Sequence, residues 1–151
     1  MNSRVRVGSV ELTHPVMAAS GTAGHGAELS AYGALDSIGA VVVKSIAATE
    51  WAGNPAPRLH PIAQGMINAV GLQGSGVNHW IENDLPAMAA VNATAVVSIW
   101  GRSVEEYRDA ARLLNEGLNR SSHQSTVVAV EVNLSCPNMN GHGIFAHDIA
   151  M

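Results

Sequence analysis

The sequence predicts an α/β fold built on a parallel sheet, and three observations carry that expectation. Apolar runs without polar alternation recur along the chain, the pattern of strands covered on both faces. Helix-compatible segments lie between them, and strand–helix–strand order specifies parallel pairing with right-handed crossovers. Some of the runs also end abruptly in polar residues, most clearly in Val127–Asn138, VVAVEVNLSCPN.

Pro15–Ala19 reads as a short strand leading into the glycine-rich SGTAGHG. Ala27–Ser37 is helix-compatible, with Leu29, Tyr32, Ala34 and Leu35 as its apolar positions. Gly39–Val43 is an apolar strand that stops at Lys44-Ser45. Ala47–Gly76 is rich in Gly, Pro and Asn and lacks a helical period, so a long functional loop is expected there. Val77–Ala90 reads as a helix with Trp80, Ile81 and Leu85 inward, and Thr94–Trp100 as a third strand. Ser103–Leu118 is the clearest helix. Ser103 and Glu106 have the S-x-x-E spacing of a capping box, in which each side chain satisfies an orphan amide. Val104, Tyr107, Ala111, Leu114 and Leu118 mark one face of that helix. Val127–Leu134 is the fourth strand, expected to be buried on both faces.

Four β/α units in 151 residues amount to half of a (β/α)8 barrel, which takes about 250 residues. An open flavodoxin-like sheet is the alternative. GIFAHDIAM stops at Met151 in what reads as a helix start without a C-cap, so an incomplete domain is expected.

A chain that is 47% hydrophobic and 13% charged suits one globular domain with a sizeable core. A net charge of −4 without a Lys/Arg cluster argues against nucleic acid and anionic membrane as partners. A single cysteine excludes an intramolecular disulfide and fits a reducing compartment. Neither a signal-peptide core nor an uncharged apolar stretch of about 18 residues is present, so a cytoplasmic location is expected. The seven histidines are scattered, and His142 and His147 form no helical H-x-x-x-H pair, so no metal site is expected.

Cys136 sits just past a predicted strand, near the amides Asn133 and Asn138, which a thiol serving only as a small core hydrophobe does not need. Lys44 ends an apolar strand, where its ammonium needs an anion or dipole unless it snorkels to solvent. Ser20, Lys44, Asn133 and Cys136 all fall at carboxyl ends of predicted parallel strands and should meet on one rim, where α/β folds place their chemistry. SGTAGHG lacks the G-x-G-x-x-G spacing; it reads as backbone approaching a flat ligand, or as a tight turn. Asn68-Ala69-Val70-Gly71-Leu72 reads as a turn with a polar handle, and Trp51, Trp80 and Trp100 as packing residues.

Through HPVMAASGTAGHGAE, GAVVVKSI, GNPAPR, GMINAVGLQGSG and NLSCPN, in that order and spacing, the chain resembles the class 1 dihydroorotate dehydrogenases, soluble flavoenzymes of pyrimidine synthesis. ASGTAGHGAE and GNPAPR are most similar to the 1B subclass, whose members pass electrons to NAD through an iron–sulfur/FAD subunit. The resemblance implies a (β/α)8 barrel with FMN across its rim. Residues 1–151 would then be the N-terminal half of a single FMN-binding domain, its first four β/α units. It implies FMN contacts from Ala19, Ser20, Gly21, Lys44, Ser45, Ser98 and Asn133. It further implies substrate contacts from Lys44, Asn68, Ala69, Val70, Gly71, Leu72, Asn133 and Asn138, with Cys136 as general base.

The implied reaction is FMN-dependent oxidation of (S)-dihydroorotate to orotate in de novo UMP synthesis, in the cytoplasm, within a heterotetramer. The iron–sulfur cluster and FAD would belong to the partner subunit alone. Ser98 stands where the family commonly has Asn, and a second flavin lysine and the later phosphate loops are not among these residues. Two other readings stand beside this one. An inactive half-barrel would leave two strand edges unpaired and self-associate or pair with a complementary fragment. A barrel like that of the dihydropyrimidine dehydrogenases would usually carry His where Asn138 follows Cys136-Pro137.

Overall fold

The computed structural model describes residues 4–33, 35–139 and 145–147. Alternating Val and charged residues around Gly8-Ser9 close a small antiparallel hairpin, β1 (Val5–Val7) and β2 (Val10–Leu12). This hairpin adds to the expected elements, and its signal is local: a two-residue turn between two short alternating runs.

The central sheet has four strands, β3 (Met17–Ala18), β4 (Ala40–Val42), β7 (Ala95–Ile99) and β8 (Val127–Val132), in the order β3-β4-β7-β8. All three pairings are parallel, as expected from the alternation of apolar runs and helices. Ala40 to Val43, Ala95, Val97 and Ile99 are buried, which gives β4 and β7 the continuous apolar run of an inner parallel strand. Their Val41, Val43 and Val97 pack with Ile46, Trp80, Leu85, Met88, Ala110 and Leu114 in the main core.

β8 does not match the expectation of a doubly buried strand. Among the described residues it pairs with β7 alone, which makes it the edge of the described sheet, and Val130, Val132 and Leu134 are 48%, 51% and 43% exposed. Its apolar sequence suits burial that the described residues do not provide.

Between β3 and β4 the expected helix is instead two 3-10 turns, Ala27–Ala31 and Leu35–Ser37. Gly33 lies between them, and a glycine in so short a segment disfavours a continuous α-helix. Ala34 lies outside the described residues. Within the expected loop 47–76 an exposed hairpin forms, β5 (Leu59–Ile62) with β6 (Gly65–Asn68). Both strands are fully solvent-facing, and Pro61 interrupts the pattern, so no alternation betrayed them.

The helical run 77–90 comprises Val77–His79, a π turn at Trp80–Asp84, and Leu85–Ala90. The wide turn directly precedes the segment holding Pro86, which has no N–H to continue the i→i−4 ladder. Val104–Arg120 follows the sequence reading closely. Ser103 Oγ accepts the Glu106 amide at 3.2 Å, but the Glu106 carboxylate takes the Arg102 N–H at 2.7 Å rather than closing the box on Ser103. The buried face runs through Ala110, Leu114 and Gly117, while Ala111 and Val104 are exposed, a shift of one residue from the expected stripe. Gly117 permits close helix contact, because a Cβ there would lie 2.6 Å from Ile81 Cδ1.

Candidate active site at the carboxyl ends of the sheet

The sheet order brings the ends of all four parallel strands to one rim, and hydrogen bonds tie them together. Ser20, just past β3, donates to the Val43 carbonyl at 2.9 Å and lies 3.4 Å from the Ser45 hydroxyl. Ser45 and Ser98 are 2.8 Å apart and both buried. Asn133, just past β8, donates through Nδ2 to Ser45 at 3.0 Å. Ser98 in turn donates to the Glu131 carboxylate at 2.7 Å. Buried hydroxyls without partners are costly, and here each is bonded, so the rim is rigid rather than merely polar.

Lys44 stands beside this group. Its backbone N–H donates to the Gly24 carbonyl at 2.9 Å, and a Cβ on Gly21 would lie 3.6 Å from its Nζ. The ammonium therefore lies over bare backbone, with Gly21 at φ 79°, a conformation that favours glycine. Among the described residues no carboxylate forms an ion pair with Lys44; those pairs belong to Arg102 and Arg112. A half-buried cation over an open backbone surface suits an anionic or strongly accepting planar ligand.

The second part of the site is assembled over long sequence separations. Asn138 Nδ2 donates to the Asn68 carbonyl at 3.4 Å. Asn54 Nδ2 bridges the Ala69 and Asn138 carbonyls at 2.8 and 2.9 Å, and its backbone N–H reaches Val70 at 3.0 Å. Trp51 Nε1 donates to Gly71 at 2.9 Å. Arg58 donates to the Ala52 and Asn54 carbonyls and to Gln73. Gly71 and Leu72 both adopt positive φ, 72° and 56°, holding the 68–72 turn against these partners. Leu72 packs with Trp100 and Met139, and Ala47, Trp51, Tyr107 and Cys136 lie against that cluster.

Cys136 is thus half-buried among aromatic side chains and is not joined to the hydroxyl group; among the described residues no hydrogen bond runs from it to Lys44. Tyr107 connects the two parts. Its hydroxyl donates to the Asn133 carbonyl while its ring lies in the cluster with Cys136. Burial pushes the phenol up, the nearby thiol adds to that shift, and a Gly101 backbone bond opposes it, so Tyr107 stays a proton donor.

Sequence reading thus named residues of both parts, and missed three that hold them. Asn54 lies within GNPAPR, Tyr107 carries no sequence signal beyond its place on a helix face, and Glu131 is the lone charge in an apolar strand. That lone charge was the one signal that could have been found. His147 falls in a 3-10 turn, while His142 lies outside the described residues. Trp80 and Trp100 are buried packing residues, as expected.

A family model described as dihydroorotate dehydrogenase matches residues 3–151. The catalytic subunit of dihydroorotate dehydrogenase B (NAD(+)) of Alkaliphilus metalliredigens is 41% identical over 144 residues, which is 95% of this chain and 45% of that protein. Its counterpart in Geobacter metallireducens is 40% identical over 140 residues, 93% of this chain and 44% of that protein. The chain therefore spans a little under half the length of these curated relatives. Among solved structures, a dihydroorotate dehydrogenase of Eimeria tenella, crystallised with ferulenol, superposes with a TM-score of 0.62 at 23% identity. That match covers 93% of this chain and 39% of the other, and shows the fold: a (β/α)8 barrel, of which this chain carries four parallel strands.

Proposed function

Because the chain belongs to the dihydroorotate dehydrogenase family, we propose that residues 1–151 are the N-terminal half of a single FMN-binding barrel domain that oxidises (S)-dihydroorotate to orotate. The observation that carries this reading is the convergence of Ser20, Ser45, Ser98 and Asn133 into one bonded group beside Lys44. Such a set fits a flavin: Gly21 leaves room for a flat ring, and Lys44 and the Asn133 amide offer a cation and donors to its polar edge. Ala19, Ser20, Gly21, Lys44, Ser45, Ser98 and Asn133 would hold FMN, which supplies the two-electron acceptor of the reaction.

The substrate would lie between that group and the loop 68–72. Lys44 would neutralise the orotate carboxylate, an effect that grows as water is excluded. Asn68, Asn138 and Asn133 would bond the pyrimidine, with Ala69, Val70, Gly71 and Leu72 giving backbone contacts. Cys136 would act as the general base, its thiolate taking the proton from substrate C5.

The relatives are named as catalytic subunits acting with NAD(+), which supports a partner subunit for electron transfer. An iron–sulfur/FAD protein in a heterotetramer is the form we propose. Among the described residues no helix is long and apolar enough to cross a membrane, and we place the protein in the cytoplasm. The exposed edge of β8 favours a second statement: these 151 residues turn over substrate only once the remainder of a barrel is joined to them.

In the complete enzyme carrying this segment, Cys136→Ala is expected to lower dihydroorotate oxidation by about 10²–10⁴-fold, with FMN retained. Turnover near that of the parent would remove Cys136 as base. Oxidation assays on dihydrouracil and dihydrothymine check the substrate class, and preference for either over dihydroorotate would overturn it.

A further inference from the structure

Glu131 lies directly opposite Ser98 in the β7–β8 register, and its carboxylate accepts the Ser98 proton at 2.7 Å. A serine hydroxyl carries one proton. With that of Ser98 on Glu131, the 2.8 Å bond between Ser45 and Ser98 must run from Ser45 to Ser98. Ser45 is left with lone pairs only, so the Asn133 amide must meet it through Nδ2, at 3.0 Å. Ser20 cannot reverse this direction, because its own proton is on the Val43 carbonyl at 2.9 Å. The other end of the amide agrees independently: the Ser135 N–H donates to Asn133 Oδ1 at 3.2 Å. Turned over, the amide would set oxygen against lone pairs at Ser45 and N–H against N–H at Ser135.

We propose that Glu131 is a positioning residue: by directing the protons of Ser98 and Ser45, its carboxylate fixes the orientation of the Asn133 amide at the rim. One N–H of Nδ2 and one lone pair of Oδ1 are then left to a ligand in a set geometry, a donor on the Ser45 side and an acceptor on the Ser135 side. The ligand meant is the flavin or pyrimidine of the proposed function, and to that extent the inference rests on it. Glu131→Gln is nearly isosteric but can donate to Ser98, which releases the chain's direction.

The test follows the Asn133 side-chain amide signals of the complete enzyme carrying this segment by ¹⁵N NMR, assigned by their loss in Asn133→Asp. Glu131→Gln and Ser98→Ala are each expected to displace these signals. Each should also speed their exchange with water about three- to tenfold, the effect of one net hydrogen bond. The double variant should go no further than either single one. Unmoved signals in Glu131→Gln, or a double variant equal to the sum, would overturn the proposal. Glu131 is on the exposed edge, so its Gln variant carries the test even where Ser98→Ala fails to fold. FMN titration separates the two readings. A complete enzyme carrying this segment that does not bind FMN removes the flavin assignment while the Asn133 signals still decide positioning. FMN binding with unmoved signals removes the positioning alone.

Discussion

The two parts of the rim are held by different physics. Ser20, Ser45, Ser98 and Asn133 are placed by the sheet itself: parallel register sets their heights, and short bonds between buried hydroxyls lock them together. Asn68 to Leu72, Cys136 and Asn138 hang outside the sheet. They are tied by Asn54 across as many as 84 residues, by positive-φ backbone, and by an aromatic cluster. The difference teaches that a strand-end group inherits its geometry, whereas a loop group must be braced residue by residue.

That contrast can be broken most severely at Gly53. Its φ is 72°, and a Cβ there would lie 2.5 Å from the Val70 carbonyl oxygen. Gly53→Ala should therefore destabilise by about 2–5 kcal/mol, from backbone strain plus displacement of the turn. Chemical denaturation measures the loss, and a change below about 1 kcal/mol would show that the loop yields freely. Asn54→Ala is a milder probe. It deletes both side-chain bonds and should cost about 1–3 kcal/mol, with faster hydrogen exchange confined to residues 68–72 and 138 while β4 and β7 keep their protection. Exchange rising equally in both parts would show that they are one cooperative unit.

The smallest effect sharpens the sheet side, where Glu106 lies in the first turn of the helix that carries Tyr107. Hydrogen bonding from Arg102 holds the Glu106 carboxyl below its usual range. A depressed folded-state value adds stability above the unfolded carboxylate range, and that stability fades as pH falls through the folded value. Glu106→Gln should flatten this part of the acid-side stability curve, by well under 1 kcal/mol for so exposed a pair. An unchanged acid slope would remove the pair from the account.

How far the letters alone could reach follows the same division. The four parallel strands were legible as apolar runs without alternation, and the helix from Ser103 because its one buried face imposes a period. Ser20, Lys44 and Asn133 were legible because a polar group closing an apolar run carries a desolvation cost that a partner or ligand must offset. The β5–β6 hairpin was invisible, since no buried face imposes alternation on it. Asn54 was invisible as a brace, since its bonds to carbonyls 15 and 84 positions away follow from tertiary placement and not from local chemistry. The exposure of β8 could not be read either: an apolar strand looks the same whether or not anything covers it.

The bare flank of β8 makes the state of this polypeptide a matter of mass action. Val130, Val132 and Leu134 present an exposed apolar row along a strand that, among the described residues, pairs on one side only, and such borders recruit whatever extended segment arrives first. Diluted, the molecule would keep that row wetted. Concentrated, it would gain apparent thermal resistance where copies meet in register, and turn turbid where they meet out of it.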